Sequence, residues 1–332
     1  RVNLLWALSN CLLIVTTPTL LMRKNISMTN VRHRLEYLVV LFLIFSLKNL
    51  SARSIFLLGR ILGHLSYSLA TKRRKIALIN LSIAFGNKKS SKEKKNIIKN
   101  SFTQVALSTL QSLWVLKDPG RVNQLIEVDP NGLDLIEKCL SRQKGIFFLT
   151  AHYGNWEIMG IDHGFRGVCK LHSIIRRLDN PYLNEVAVKL RTVSGNGIFY
   201  RDESLLQIVR ALKNNEAIAI MMDQNTAKGG VFVDFFGRKA ATARALARLS
   251  YRTGTPIIPF FCYPTRNGTY RVKYGPELIL KKTGHKEQDI VTWTQACEKF
   301  IEKTIHDEPT PWTWAHRRWK TRPTEEQGTK IY

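Results

Sequence analysis

His152 and Glu157 stand five positions apart in the run Thr150-Ala151-His152-Tyr153-Gly154-Asn155-Trp156-Glu157. An imidazole beside a carboxylate supplies general-base chemistry: the carboxylate keeps one ring nitrogen protonated while the other takes a proton from a substrate hydroxyl. No serine or cysteine stands in the run, so a covalent intermediate on the protein has no evident nucleophile there. The spacing alone also fits a structural histidine with a carboxylate nearby by chance. A zinc site of the helical metalloprotease kind needs two histidines four apart with a glutamate between them, and the chain has no such pair.

The elements that must position this run are readable around it. Gly145-Ile146-Phe147-Phe148-Leu149-Thr150 has the pattern of a strand covered on both faces. Gly154 permits a tight turn, and Asn155 is a good N-cap for a helix carrying Trp156, Glu157, Ile158 and Met159. From Gly145 onward strand-like and helix-like segments alternate, which predicts an α/β fold with a mainly parallel sheet flanked by helices. Strands are expected at 146–149, 170–175, 197–200, 217–222, 231–235, 257–262 and 270–274. Helices are expected at 156–163, 181–193, 204–214, 240–252 and 291–306.

Ligands of open α/β sheets bind beyond the carboxyl ends of the strands. Those ends carry His152, the run Arg176-Arg177-Leu178-Asp179-Asn180-Pro181 and the run Met221-Met222-Asp223-Gln224-Asn225. Arg176 there suits a phosphate or a developing oxyanion, and Asp223 suits orienting Arg176 or the substrate. Each has a plainer reading, as a solvated arginine and as a turn or cap aspartate. Gly229-Gly230-Val231-Phe232-Val233-Asp234-Phe235-Phe236-Gly237 fits an apolar wall for an acyl chain and a core hairpin equally.

The chain has 332 residues and a formal net charge of +26, an excess that implies an anionic partner: nucleic acid, an acidic membrane surface, a phosphorylated substrate or an acidic carrier protein. Cys11, Cys139, Cys169, Cys262 and Cys297 are scattered without a CxxC pair, which reads as a reducing compartment without a metal cluster. There is no GxGxxG, P-loop or GxSxG signature, and no cofactor is expected.

The amino-terminal part reads differently. Leu4 to Met22 carries no charge over a length close to a bilayer span, although polar residues and Pro18 interrupt it. Met28 resembles a natural start, so residues 1–27 read as either a span or upstream sequence. Tyr37 to Leu47 is too short to span and has basic flanks, which fits an interfacial anchor on an anionic leaflet or a buried helix hairpin. The stretch Lys72 to Lys99 is strongly basic, with Lys88-Lys89-Ser90-Ser91-Lys92 as a loop. It lacks the interleaved aromatics of a single-strand surface, so a phosphate-rich membrane is the simpler partner and nucleic acid is not expected. The resulting division is a possible transmembrane or upstream segment at 1–31, a membrane-associated helical region at 32–120 and an α/β domain at 121–325.

From about Arg32 to Pro323 the chain resembles the H-x4-D/E acyltransferases, and within them the late acyltransferases of lipid A biosynthesis, the lauroyl and myristoyl transferases. The resemblance rests on His152-Tyr153-Gly154-Asn155-Trp156-Glu157, on Arg176 with Asp179-Asn180-Pro181, on Asp223-Gln224 followed by Val231 to Gly237 and Ala240-Ala241-Thr242, and on Trp314-Ala315-His316-Arg317-Arg318-Trp319-Lys320-Thr321-Arg322-Pro323. It implies an enzyme at the cytoplasmic face of a bacterial inner membrane that moves a fatty acyl group from acyl carrier protein to a hydroxyl of an anionic glycolipid. His152 is then the base and Glu157 its orienting acid, with Arg176, Asp223 and Asn155 assigned to the substrate. Asp234 and Gln111 depart from the family pattern, where proline and a helical glutamate are usual, which points to a different acceptor. Phosphatidylinositol mannosides and lysophospholipids are acceptors of related enzymes. A basic membrane- or nucleic-acid-binding protein with an inactive box, or a hydrolase using the same base, are the readings from other classes.

Overall fold

The apolar runs become the centre of a seven-stranded sheet in a computed structural model that describes residues 26–201, 205–326 and 331–332. Helices α1 (Ile26–Leu47), α2 (Ala52–Leu69), α3 (Thr71–Phe85) and α4 (Ser91–Lys117) come first. There follow β1 (Ile126–Val128), α5 (Pro130–Leu140), β2 (Ile146–Thr150), α6 (Trp156–Arg166), β3 (Leu171–Ile175), α7 (Pro181–Thr192), β4 (Gly197–Tyr200), α8 (Leu205–Lys213) and β5 (Ala217–Met221). The chain continues through β6 (Gly230–Phe235), β7 (Arg238–Ala243), α9 (Ala245–Thr253), β8 (Ile257–Pro264), β9 (Tyr270–Tyr274) and α10 (Lys286–Asp307).

The strand order is β1-β9-β8-β2-β5-β3-β4. Five strands from β8 to β4 run parallel, and β9 with β1 runs the other way. Helices cover both faces, so β2 is buried throughout, and Ile146, Phe147, Phe148 and Leu149 are wholly buried. Each such side chain stabilises the fold by about 1.5–3 kcal/mol relative to exposure. Ser90 caps α4 reciprocally with Glu93, so the basic loop ends at Ser90 and the Ser91 and Lys92 expected in it begin the helix.

One expected helix starts late. Ala240 to Ala243 form the end of β7, not the first turn of a helix, because β6 and β7 pair antiparallel through Val233 and Ala240. The two connecting residues, Phe236 and Gly237, both have positive φ, at 52° and 71°, the backbone that a tight two-residue hairpin requires. The glycine-aromatic run is thus a hairpin whose Phe235 is wholly buried. The short β1 and helix α5 were not anticipated.

Helix α1 docks on the start of α7: Tyr37 stacks on Tyr182 at 5.5 Å, and the Asn180 amide donates to the His33 carbonyl and to Glu36. Its other face leaves Leu35, Leu38, Phe42 and Phe45 exposed, Phe42 by 68 %, and α2 exposes Leu57, Ile61, Leu65 and Leu69. Among the described residues no helix is long and apolar enough to cross a membrane. The run Leu4 to Met22 lies outside the described residues, as does Cys11. The other four cysteines are free.

Candidate active site

The chain leaves β2 into a turn that admits only glycine at one position. Gly154 has a φ of 61°, and a Cβ there would fall 1.8 Å from the Cys262 carbonyl oxygen. Asn155 then caps α6, its Oδ1 accepting from the Ile158 amide, while its amide donates to Gln111 and the Ser108 carbonyl. This turn sets His152 at the carboxyl edge of the sheet, with its ring edge-on to Trp156 at 5.1 Å.

β5 pairs beside β2, so the turn after β5 brings Asp223 against His152. Asp223 Oδ1 lies 2.9 Å from His152 Nδ1, and its Oδ2 accepts from the His152 backbone amide at 3.1 Å and the Trp312 indole at 2.9 Å. Burial pushes this carboxyl up, but the His152 charge and the hydrogen bonds from His152 and Trp312 outweigh it and bring it down to about 2. An ionised carboxylate only accepts, so Nδ1 is the donor to it and Nε2 is the ring nitrogen left to face the cavity. The Gln224 amide nitrogen sits 3.1 Å from that Nε2. Among the described residues no hydroxyl or thiol is hydrogen-bonded to the imidazole.

Glu157 does not make the contact anticipated for it. The second position of α6 turns its carboxylate toward α7, where Arg191 binds it through two bonds, Nε to Oε2 at 2.9 Å and Nη2 to Oε1 at 2.5 Å. The imidazole is held by Asp223 instead. Arg191 has three further N–H donors beyond those bonds and lines the cavity, a position that sequence reasoning missed. The available signal was Glu157 itself: a carboxylate on a buried helix face with no cation one turn away needs one from elsewhere.

A strap of closing residues fastens the two turns together. Thr313 donates from its backbone and its hydroxyl to the His152 carbonyl, and the Gly154 amide donates to Pro311. His316 accepts the Asn225 amide at 3.0 Å, and burial pushes this imidazole down to about 3, so it stays a neutral acceptor. Asn225 and Thr321 bond reciprocally. Arg318, wholly buried, joins Glu298 on α10 to Thr242 and the Ala241 carbonyl. Asn80 on α3 and Ser101 on α4 bind strap carbonyls, tying the helical region to the site.

A cavity of about 650 Å³ opens at this edge. His152, Gln224, Arg176, Arg191, Lys228 and Arg244 stand on it with apolar walls from Met159, Leu171, Ile175, Ala219, Met221 and Phe260. The sequence-derived positions therefore divide. His152, Arg176 and Glu157 line the cavity, and Asp223 reaches it through the imidazole. Arg176 is exposed and pairs with Asp179 at 2.7 Å. Asn155 has no exposed surface and spends its amide on the protein, so the substrate contact assigned to it has no face on the cavity. Asp234 and Gln111 are also away from it; Gln111 is buried and bonded to Tyr270 and Gly268.

A half-buried imidazole without a neighbouring nucleophile, set over an apolar cavity with a cationic rim, suits transfer of an acyl group to a substrate hydroxyl, and comparison with known proteins agrees: the chain is an acyltransferase. It belongs to the bacterial lipid A biosynthesis acyltransferase family, whose model matches residues 22–321. It is similar to the lipid A biosynthesis palmitoleoyltransferase of Escherichia coli (strain K12), 26 % identical over 82 % of this chain and 87 % of that one. The lauroyltransferase of the same organism is 27 % identical over 81 % and 86 %. A phosphatidylinositol mannoside acyltransferase of Mycolicibacterium smegmatis is 23 % identical over 64 % and 69 %.

Proposed function

We propose that the protein transfers a fatty acyl group from an acyl carrier protein thioester to a hydroxyl of a lipid A precursor, at the cytoplasmic face of a bacterial inner membrane. The observation that carries this reading is the Asp223–His152 pair, which leaves Nε2 as the accepting nitrogen at the cavity; the Gln224 amide that donates to it at 3.1 Å gives way to the acceptor hydroxyl. Nε2 takes the proton of the acceptor hydroxyl as its oxygen attacks the thioester carbonyl. Collapse of the tetrahedral intermediate breaks the C–S bond, and the imidazolium returns the proton to the leaving thiolate, so an ester and a thiol are the products. Arg191, fixed by Glu157, supplies N–H donors for the developing oxyanion.

The exposed apolar faces of α1 and α2, with the basic stretch that follows, support docking to an anionic leaflet. The cationic rim suits an anionic acceptor, and the net charge suits steering of an acidic carrier protein. A phosphatidylinositol mannoside is the second acceptor reading, favoured by the mycobacterial relatives. His152→Ala should abolish acyl transfer while circular dichroism and vesicle binding stay unchanged; full activity in that variant would sink the mechanism. Mass spectrometry of lipid A from cells with and without the protein decides between the acceptors.

A further inference from the structure

Two glycines sit within α6, Gly160 and Gly164, and a glycine inside a helix is a cost that needs a reason. Gly164 has one: a Cβ there would fall 2.3 Å from the Ser194 hydroxyl oxygen and 2.8 Å from Asn196 Oδ1. Gly160 has none of this kind. Among the described residues, and outside its own helix, the only heavy atom within 4 Å of a Cβ at 160 is Leu171 Cδ2, at 4.0 Å, and the space around it is the cavity.

Ile174, on the opposite face of β3, lines the cavity with Ile208 and Leu249, but the side covered by α6 has a direction of its own. Ile175, Ser173 and Leu171 alternate along one face of β3 and all line that side, so it follows the strand for about 13 Å at ~3.3 Å per residue. Ile175 marks the end near His152 and Leu171 the far end. Gly160 lies across from Leu171, and Asn196 is beside it, donating from its Nδ2 to the Gly160 carbonyl at 2.6 Å. The far end is therefore open because residue 160 has no side chain.

We propose that Gly160 sets the length of the acyl chain that the donor places in this cavity. The proposal rests on the acyl-transfer reading above. With the thioester carbonyl at Nε2, the hydrocarbon tail runs down the face of β3, and its terminal methyl group comes to rest against Leu171 and Gly160. Any side chain at 160 shortens the room for that tail. Hydrophobic pockets discriminate through such lost or blocked methylenes, each by about 10–200-fold.

The test uses the full chain, one lipid acceptor and a series of saturated acyl thioesters of increasing length, comparing the wild type with Gly160→Ala and Gly160→Met. Gly160→Met should lower kcat/KM about tenfold or more for the longest chain the wild type accepts, and should leave the shortest chain nearly unaffected. Gly160→Ala, which the helix itself favours, should shift the preference the same way by less. An unchanged length profile in an active Met variant overturns the proposal. So does an equal loss at every length in variants with native circular dichroism. A wild type that transfers no chain to any lipid hydroxyl would instead sink the acyl-transfer reading and this proposal with it.

Discussion

Two buried carboxylates flank the cavity, and their partners make them different instruments. Asp223, at the turn after β5, faces an imidazole whose charge comes and goes. Glu157, at the start of α6, faces a guanidinium whose charge is permanent. The first carboxylate can therefore take part in proton transfer by fixing a tautomer and stabilising an imidazolium. The second holds a cation in place and makes no contact with the imidazole. Proximity to His152 in sequence is thus a poorer guide to role than the nature of the group each carboxylate touches.

The comparison breaks most directly at Asp223. Asp223→Asn should lower kcat by about 10²–10⁴-fold with KM little changed, because the imidazole loses its orienting charge. Steady-state kinetics on folded protein checks this, and a loss under threefold would erase the distinction. Glu157→Gln should act mainly on stability, by about 3 kcal/mol in urea unfolding, since it strands Arg191 without a counter-charge. Its loss of activity should match that of Arg191→Gln, because both act through the same guanidinium; a Glu157 variant that keeps its stability and shifts the pH–rate profile while Arg191→Gln does not would return Glu157 to the role anticipated from sequence.

Acid sharpens the contrast. The folded Asp223 carboxyl lies at about 2, below its ordinary 3.8, so its stabilising contribution is whole above the ordinary value and vanishes as pH falls through about 2. That contribution is about 2 kcal/mol and should be missing from Asp223→Asn when melting is followed across this window. The smallest effect is expected at Trp312. Trp312→Phe keeps the ring and removes one donor to Asp223, worth about 1–2 kcal/mol in activation free energy. An accompanying change in the pH–rate profile would separate positioning of the carboxylate from simple loss of packing.

Much of this was legible because it is local. The strand from Ile146 and the capped helix from Trp156 follow from a short apolar run, a glycine and an asparagine in fixed order. The common rim of His152, Arg176 and Asp223 followed from the rule that parallel strands present their carboxyl ends together. What stayed hidden depends on strand order and helix azimuth. His152 and Asp223 are 71 residues apart and meet because β5, not β3, pairs beside β2. Arg191 is one of 51 lysines and arginines, and only the packing of α7 on α6 singles it out. Ala240 to Ala243 have the composition of a helix, and the hairpin turn at Phe236 and Gly237 overrides it.

The strap from Pro311 to Thr321 also fixes an order in time. A ribosome delivers β2, β5 and both of their turns long before it delivers Trp312, Thr313 and His316. A nascent chain can pair its central strands early, yet the residues that clamp His152 and Asp223 arrive among the last of those described. The His152–Asp223 pair is therefore completed only once a stretch 89 residues beyond Asp223 has been made, and with that stretch come Trp312, Trp314 and Trp319, which fill part of the core beneath it.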